Sequence, residues 1–159
     1  MKRILFSSLL VLFFHPALVY AQRDSVRTLY LDAESWFLFE EYEEALPLYE
    51  ALLESDPGND NLKYKIGICL LNDPYQKDKA IHYLLEASEN INPAYKQNSY
   101  KERTAPPDVL YHLGNAYLVN YKIDSAIQSF EKFLDILDEE IYDKNWWSFT
   151  SLVVKRLPS

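Results

Sequence analysis

The chain is poor in the residues from which most catalytic and metal-binding motifs are built. Of 159 residues, one is cysteine, three are glycine and three are histidine. The single Cys69 excludes an intrachain disulfide and every CxxC spacing. Gly58, Gly67 and Gly114 are far apart, so no glycine-rich loop is present to cradle a phosphate. No HExxH stands anywhere. His82 and His112 lie in different parts of the chain, each beside a tyrosine, and read as satisfied or exposed rather than as metal ligands. Positive charge is also scarce. Sixteen Lys and Arg face 24 Asp and Glu, for a formal charge of -8, and the basic residues form no cluster. That balance argues against nucleic acid and anionic lipid as partners. The carboxylate runs Asp138-Glu139-Glu140 and Glu40, Glu41, Glu43, Glu44 read as solvated helix ends rather than cation sites. The expectation is a chain with no catalytic residues, no cofactor, no metal and no small-molecule substrate, hence no enzyme.

What the chain has instead is helical periodicity. Val109 to Phe133 carries Leu110, Leu113, Gly114 and Tyr117, then Ile123, Ala126, Ile127, Phe130 and Phe133. These fall at the i, i+3, i+4, i+7 steps that place side chains on one helical face, so the stretch reads as two short amphipathic helices joined by a tight turn. Two such helices cannot bury both apolar faces alone and need neighbours of the same kind. The chain holds two more copies. Ala33, Gly67 and Gly114 are the small residues of three first helices, and Ala45, Ala80 and Ala126 are the alanines of three second helices. Ala33 to Gly67 is 34 residues, Ala45 to Ala80 is 35, and Gly67 to Gly114 is 47, which implies an insertion before the third copy. Helices that cross within about 8–10 Å need small residues at the contact and large ones around it.

On these residues the chain resembles the tetratricopeptide repeat (TPR) family, whose period is about 34 with a W…LG…Y…A…F…A…P pattern. The matching positions are Leu29, Ala33, Trp36, Ala45, Tyr49, Leu52 and Pro57, then Ile66, Gly67, Leu70, Ala80, Leu84, Ala87 and Pro93. The third copy offers Leu110, Leu113, Gly114, Tyr117, Ala126, Phe130 and Phe133, and departs from the family at Phe133, where a small residue is preferred. The resemblance implies an all-α, right-handed α-solenoid of three helical hairpins, at about 26–59, 60–93 and 107–140 within a domain over 22–143.

Taken in order, residues 1–21 begin with Lys2 and Arg3, run apolar, and end on small Val19 and Ala21. They read as a secretory signal peptide cleaved after Ala21. The other reading is a retained anchor, but His15-Pro16 breaks the apolar run and leaves it short of a span of about 20 residues. No membrane span is expected after cleavage. Removal of Lys2 and Arg3 takes the formal charge to -10. Helices are expected over 23–40, 42–54, 60–71 and 77–89. Pro47 falls in the first turns of the second, where its missing donor costs less. Asp56-Pro57-Gly58-Asn59 is read as a turn in which glycine supplies φ > 0, with Asp60 capping the next helix. Cys69, on the apolar face of IGICLL, reads as a small buried hydrophobe. Residues 91–107 show no regular pattern. They hold Pro93, Pro106 and Pro107, with Lys96, Lys101 and Arg103. The inserted loop, 94–106, reads as either a solvated connection or a binding loop. The sixth helix is expected to end near Asp138. Residues 144–159 read as a capping helix, with Trp146, Phe149, Val153 and Leu157 on one side, or as an irregular tail.

The TPR resemblance further implies a concave groove lined by the first helices, which binds a peptide or protein. Its positions are Tyr30, Glu34 and Phe37; Tyr64, Ile68 and Leu71; and Tyr111, Asn115 and Leu118. A tyrosine stands three before the small residue in each copy. Such tyrosines either bind a partner, with large area and one polar tip, or only pack against the adjoining copy. A C-terminal carboxylate ligand is disfavoured, since the groove lacks the required lysines and arginine. More narrowly, YEEALPLYEALLESDPGNDNLKYKIGICLL and INPAYKQNSYKERTAPPDVLYHLGNAY resemble the N-terminal TPR segment of envelope proteins from the Bacteroidetes group. In those proteins the segment precedes a β-propeller-like region and an OmpA-type domain, in some cases linked to secretion or gliding machinery. The likeness covers about 24–137 and implies a periplasmic or outer-membrane-associated adaptor for an envelope protein. The competing expectation is a shortened structural remnant of such a protein, without a partner of its own.

Overall fold

The computed structural model describes the backbone of residues 15–141 and the side chains of residues 25–137. Among the described residues the chain is all-α, with six helices and no strand. They are α1 (His15–Leu38), α2 (Tyr42–Ser55), α3 (Asp60–Asn72), α4 (Lys77–Ala87), α5 (Asp108–Val119) and α6 (Ile123–Ile141). No described helix is long and apolar enough to cross a membrane. Each helix packs chiefly on its neighbours in the chain, and α3 also touches α5. The backbone of α1 is helical through the expected Ala21–Gln22 junction. Residues 1–14 and the expected capping helix within 144–159 lie outside the described residues. The sixth helix passes Asp138 and continues to Ile141, while α4 stops two residues short of Glu89.

Two of the helix-to-helix turns close in the same way. Glu41 N–H donates to the Trp36 carbonyl (3.0 Å) and Glu40 N–H to that of Phe37 (3.1 Å). Lys122 N–H donates to Tyr117 (2.9 Å) and Tyr121 N–H to Leu118 (3.1 Å). This paired pattern satisfies the last carbonyls of a helix and needs one residue in the left-handed region. Glycine is the usual occupant, but here Glu40 (φ 62°) and Tyr121 (φ 58°) take it, at about 1–2 kcal/mol each. The α3–α4 turn is different: Asp73 accepts from the Tyr75 backbone (2.8 Å) and from the Gln76 amide (2.6 Å).

The α2–α3 turn corrects two expectations. Asn59, not Asp60, caps α3, its side-chain oxygen accepting from Leu62 N–H at 3.1 Å. Asp60 lies inside the first turn and pairs with Lys63 at 3.0 Å. No described glycine has positive φ, so Gly58 does not use its left-handed freedom.

The small residues stand where the helices approach most closely. Ala33, Ala45 and Ala80 are fully buried, and Ala126 nearly so. A Cβ added at Gly67 would fall 2.5 Å from Leu84 Cγ, and one at Gly114 would enter the Phe130 ring. Thus α3 meets α4, and α5 meets α6, through a hydrogen atom on one side and a large side chain on the other. Phe133 is buried, its ring 5.9 Å from Tyr111. Cys69 is also buried, and burial pushes its thiol up to about 12.

Gly114→Ala tests this contact. Alanine raises helix propensity by about 1 kcal/mol, but forcing a methyl into the Phe130 ring costs about 1–3 kcal/mol. Net destabilisation is expected in urea unfolding, and Phe130→Leu in the same chain should recover part of it. An unaltered midpoint for Gly114→Ala would show that the helices do not meet this tightly.

Candidate functional site

The face shared by α1 and α3 is held by charge rather than by apolar contact alone. Lys65 lies on α3 amid Tyr64, Ile66, Gly67 and Ile68, all buried, and is itself only 4% exposed. A buried ammonium is costly unless paired and hydrogen-bonded. Glu34 of α1 supplies the pair, with its oxygens 3.0 and 3.2 Å from Lys65 Nζ. The Tyr49 hydroxyl of α2 donates to the same carboxylate at 2.6 Å. The ammonium also stands 4.1 Å from the Phe37 ring centroid, within cation–π reach. Burial lowers the Lys65 pKa, and Glu34 only partly restores it. Burial, then Glu34, pushes the Tyr49 phenol far above its ordinary range.

A second polar group adjoins the first. Asn61, fully buried on α3, donates to the Tyr30 hydroxyl at 3.4 Å and accepts from the Tyr95 hydroxyl at 2.7 Å. Tyr95 belongs to the segment that shows no periodicity. That segment is ordered without helix or strand. Its ends meet in a parallel bridge between Ile91 and Ala105, with Asn92 N–H donating to the Ala105 carbonyl (2.9 Å) and Ala105 N–H to Asn90 (3.0 Å). Inside it, the Glu102 carboxylate accepts from the backbone of Lys96, Arg103 and Thr104 and from the Thr104 hydroxyl. Burial works to raise the Glu102 pKa, but those hydrogen bonds, Thr104's first, outweigh it and hold the group below the usual range. Closed ends and internal packing are the marks of a compact Ω-type loop.

The loop is fastened to the start of α3. The Arg103 carbonyl accepts from Asp60 N–H (2.9 Å) and Asn61 N–H (3.4 Å), and the Glu102 carbonyl from the Asn61 amide (3.5 Å). The Arg103 guanidinium pairs with Asp56 at 2.8 Å. Burial pushes the Tyr95 phenol well above the tyrosine range, and nearby Tyr30, Tyr64 and Glu34 push the same way. The loop's half-buried tyrosine thus sets its hydroxyl on Asn61 of α3.

The nine positions picked from the sequence fall into distinct environments. Tyr30, Glu34, Tyr64 and Ile68 are buried. Phe37, Leu71, Tyr111 and Asn115 are half-buried, and Leu118 is 47% exposed. Tyr64 stands edge-on to His112, with centroids 5.8 Å apart. The structure joins Tyr30, Glu34 and Phe37 of α1 to α3 through Asn61 and Lys65, two residues the sequence reading did not single out. A signal for Lys65 existed, as a cation between Tyr64 and the apolar run Ile66 to Leu71. Asn61 and Tyr95 carried none. A separate shallow depression of about 240 Å³, lined by Glu40, Glu41, Tyr42, Glu43, Glu44, Leu46, Cys69, Asn72 and Asp73, lies at the α1–α2 turn. Among the described residues, no group of three or more His, Cys, Asp or Glu is placed to hold a metal ion.

Two measurements check the α1–α3 face. Lys65→Met leaves Glu34 buried and unpaired and should cost about 3–5 kcal/mol in denaturant unfolding. Adding Glu34→Gln should return much of the loss, and a double variant no better than the single would refute the pairing. The tyrosines give a pH test. Tyr30, Tyr49 and Tyr95 all have folded pKa values raised above the ordinary 10.0. Their contribution to stability is therefore complete below pH 10 and falls as pH rises past it, because the unfolded chain ionises first. Absorbance at 295 nm should show a late group of tyrosines ionising together with loss of helical circular dichroism. Their ionisation near pH 10 in a chain that stays helical would refute the burial.

No family model and no curated protein matches this sequence.

Proposed function

We propose that the chain is a protein-interaction module of the tetratricopeptide type. It is a right-handed α-solenoid of three hairpins that binds a protein or peptide in the bacterial envelope. One observation carries the solenoid reading: the same small-against-large contact recurs in successive helix pairs, Gly67 on Leu84 and Gly114 on Phe130. Equivalent contacts, with the glycines 47 residues apart and their partners 46, are what one packing unit used twice would produce. Binding rather than catalysis fits a chain so poor in cysteine, histidine and glycine. The first helices offer the partner surface, through Leu71, Tyr111, Asn115 and Leu118 on α3 and α5, none of which is fully buried. The basic, apolar, small-residue order of residues 1–21 supports export across the inner membrane, and hence a periplasmic or outer-membrane-associated site. Secretion, gliding or outer-membrane assembly machinery is the setting the sequence resemblance suggests.

A photo-crosslinking residue in place of Leu118 tests the reading in intact cells. Leu85 on α4, equally exposed at 47%, is the control. One discrete adduct from position 118, absent from position 85, is the expected result. No adduct, or the same adducts from both positions, would count against a partner surface on the first helices.

A further inference from the structure

The α1–α3 face continues the surface of first helices that the proposed function assigns to a partner, and in this structure it is taken. Tyr95 reaches Asn61 at 2.7 Å, with Tyr30 on the other side of the same asparagine. The backbone of the strap, residues 91–107, makes its own contact: the Arg103 carbonyl accepts from two successive amides at the start of α3. One anchoring aromatic, one buried polar group that reads its hydroxyl, and main-chain hydrogen bonds beside it are the elements by which a surface holds an extended polypeptide. The strap is further held by the long Asn61 amide contact to the Glu102 carbonyl, by half-buried Tyr100 against the core, and by an Arg103–Asp56 pair whose arginine side chain is more than half exposed, a contact of little strength in water. The neck formed by Ile91 and Ala105 would survive if the outer part of the strap lifted, because its hydrogen bonds lie between residues 90, 92 and 105.

We infer that residues 91–107 are an internal ligand of this face, and that a partner with a tyrosine in an extended segment binds by displacing Tyr95 from the side-chain oxygen of Asn61. The inference rests on the reading of the first helices as the partner surface. It gives that partner a chemistry: an aromatic side chain whose hydroxyl donates to the Asn61 side-chain oxygen, followed by a carbonyl for the α3 amides. A tethered strap acts at an effective concentration of about millimolar. A free segment therefore competes poorly with the strap while Tyr95 is present, and well once Tyr95 is removed.

The test uses a fluorescent peptide of residues 91–105 and fluorescence anisotropy. The intact chain should bind it at least about tenfold more weakly than the Tyr95→Ala chain, and a peptide carrying Tyr95→Phe should lose about tenfold on that variant, since Asn61 keeps a buried acceptor with no donor. A second variant, in which a four-residue Gly/Ser linker replaces residues 93–104, should bind the unaltered peptide as the Tyr95→Ala chain does. Circular dichroism establishes which of the two variants is folded. Failure of every folded variant to bind saturably, or equal binding by the intact and Tyr95→Ala chains, would overturn the inference. The Leu118 experiment fails or succeeds separately: peptide binding without a cellular adduct leaves the strap site standing and removes the envelope partner.

Discussion

An ammonium shut inside a helix bundle sets the terms for the first half of this molecule. Lys65 sits on the most enclosed helix, and everything around it answers that charge. Glu34 must come from α1, so α1 is fixed in rotation. Tyr49 must donate to Glu34, so α2 is fixed against α1. Phe37 covers the cation from the side. Buried pairs of this kind add little net stability over apolar replacements, because desolvation offsets most of the attraction. What they do supply here is geometry: only one rotational setting of α1 against α3 leaves no buried charge alone. Among the described residues no buried side-chain polar atom lacks a hydrogen-bond partner, so the arrangement closes on itself.

The second half packs through aromatic side chains. Tyr111, Phe130 and Phe133 form a tilted aromatic layer over Gly114, with centroids about 6 Å apart. Phe133 takes the place where the family pattern prefers a small side chain, and the layer accommodates it. Between the halves, the Asn120 side chain donates to the Lys77 carbonyl, tying the α5–α6 turn to the first turn of α4. The described joints thus include a buried ion pair, a tyrosine–asparagine network, an aromatic layer and a cross-turn amide.

Features set by local chemistry were legible in the sequence. Helix positions came through within a few residues because a 3.6-residue period is repeated over whole helices, except that α1 begins at His15, eight residues before the expected start at 23. Ala45, Ala80 and Ala126 are buried, as their spacing implied, since a seam residue declares itself by being small among large neighbours. Features set by long-range pairing were not legible. Asn61 and Tyr95 are 34 residues apart, and neither belongs to a periodic pattern. The cap was misplaced by one residue because Asn59 and Asp60 are both good caps, and only the direction of the chain leaving Pro57 chooses between them. Of the nine candidate positions, Tyr30 and Tyr64 illustrate the difficulty: the same side chain suits a wet binding surface and a dry interior, and the residues that decide between them lie elsewhere in the chain.

Cys69 turns one part of this architecture into something that reports on itself. The residue is 1% exposed, at the floor of the depression that Tyr42 and Leu46 of α2 also line. An alkylating reagent reaches it only when α2 lifts away from α3, and it is the chain's single thiol. The rate of its modification is therefore a clock for breathing between the first two helical pairs, wound without altering a residue.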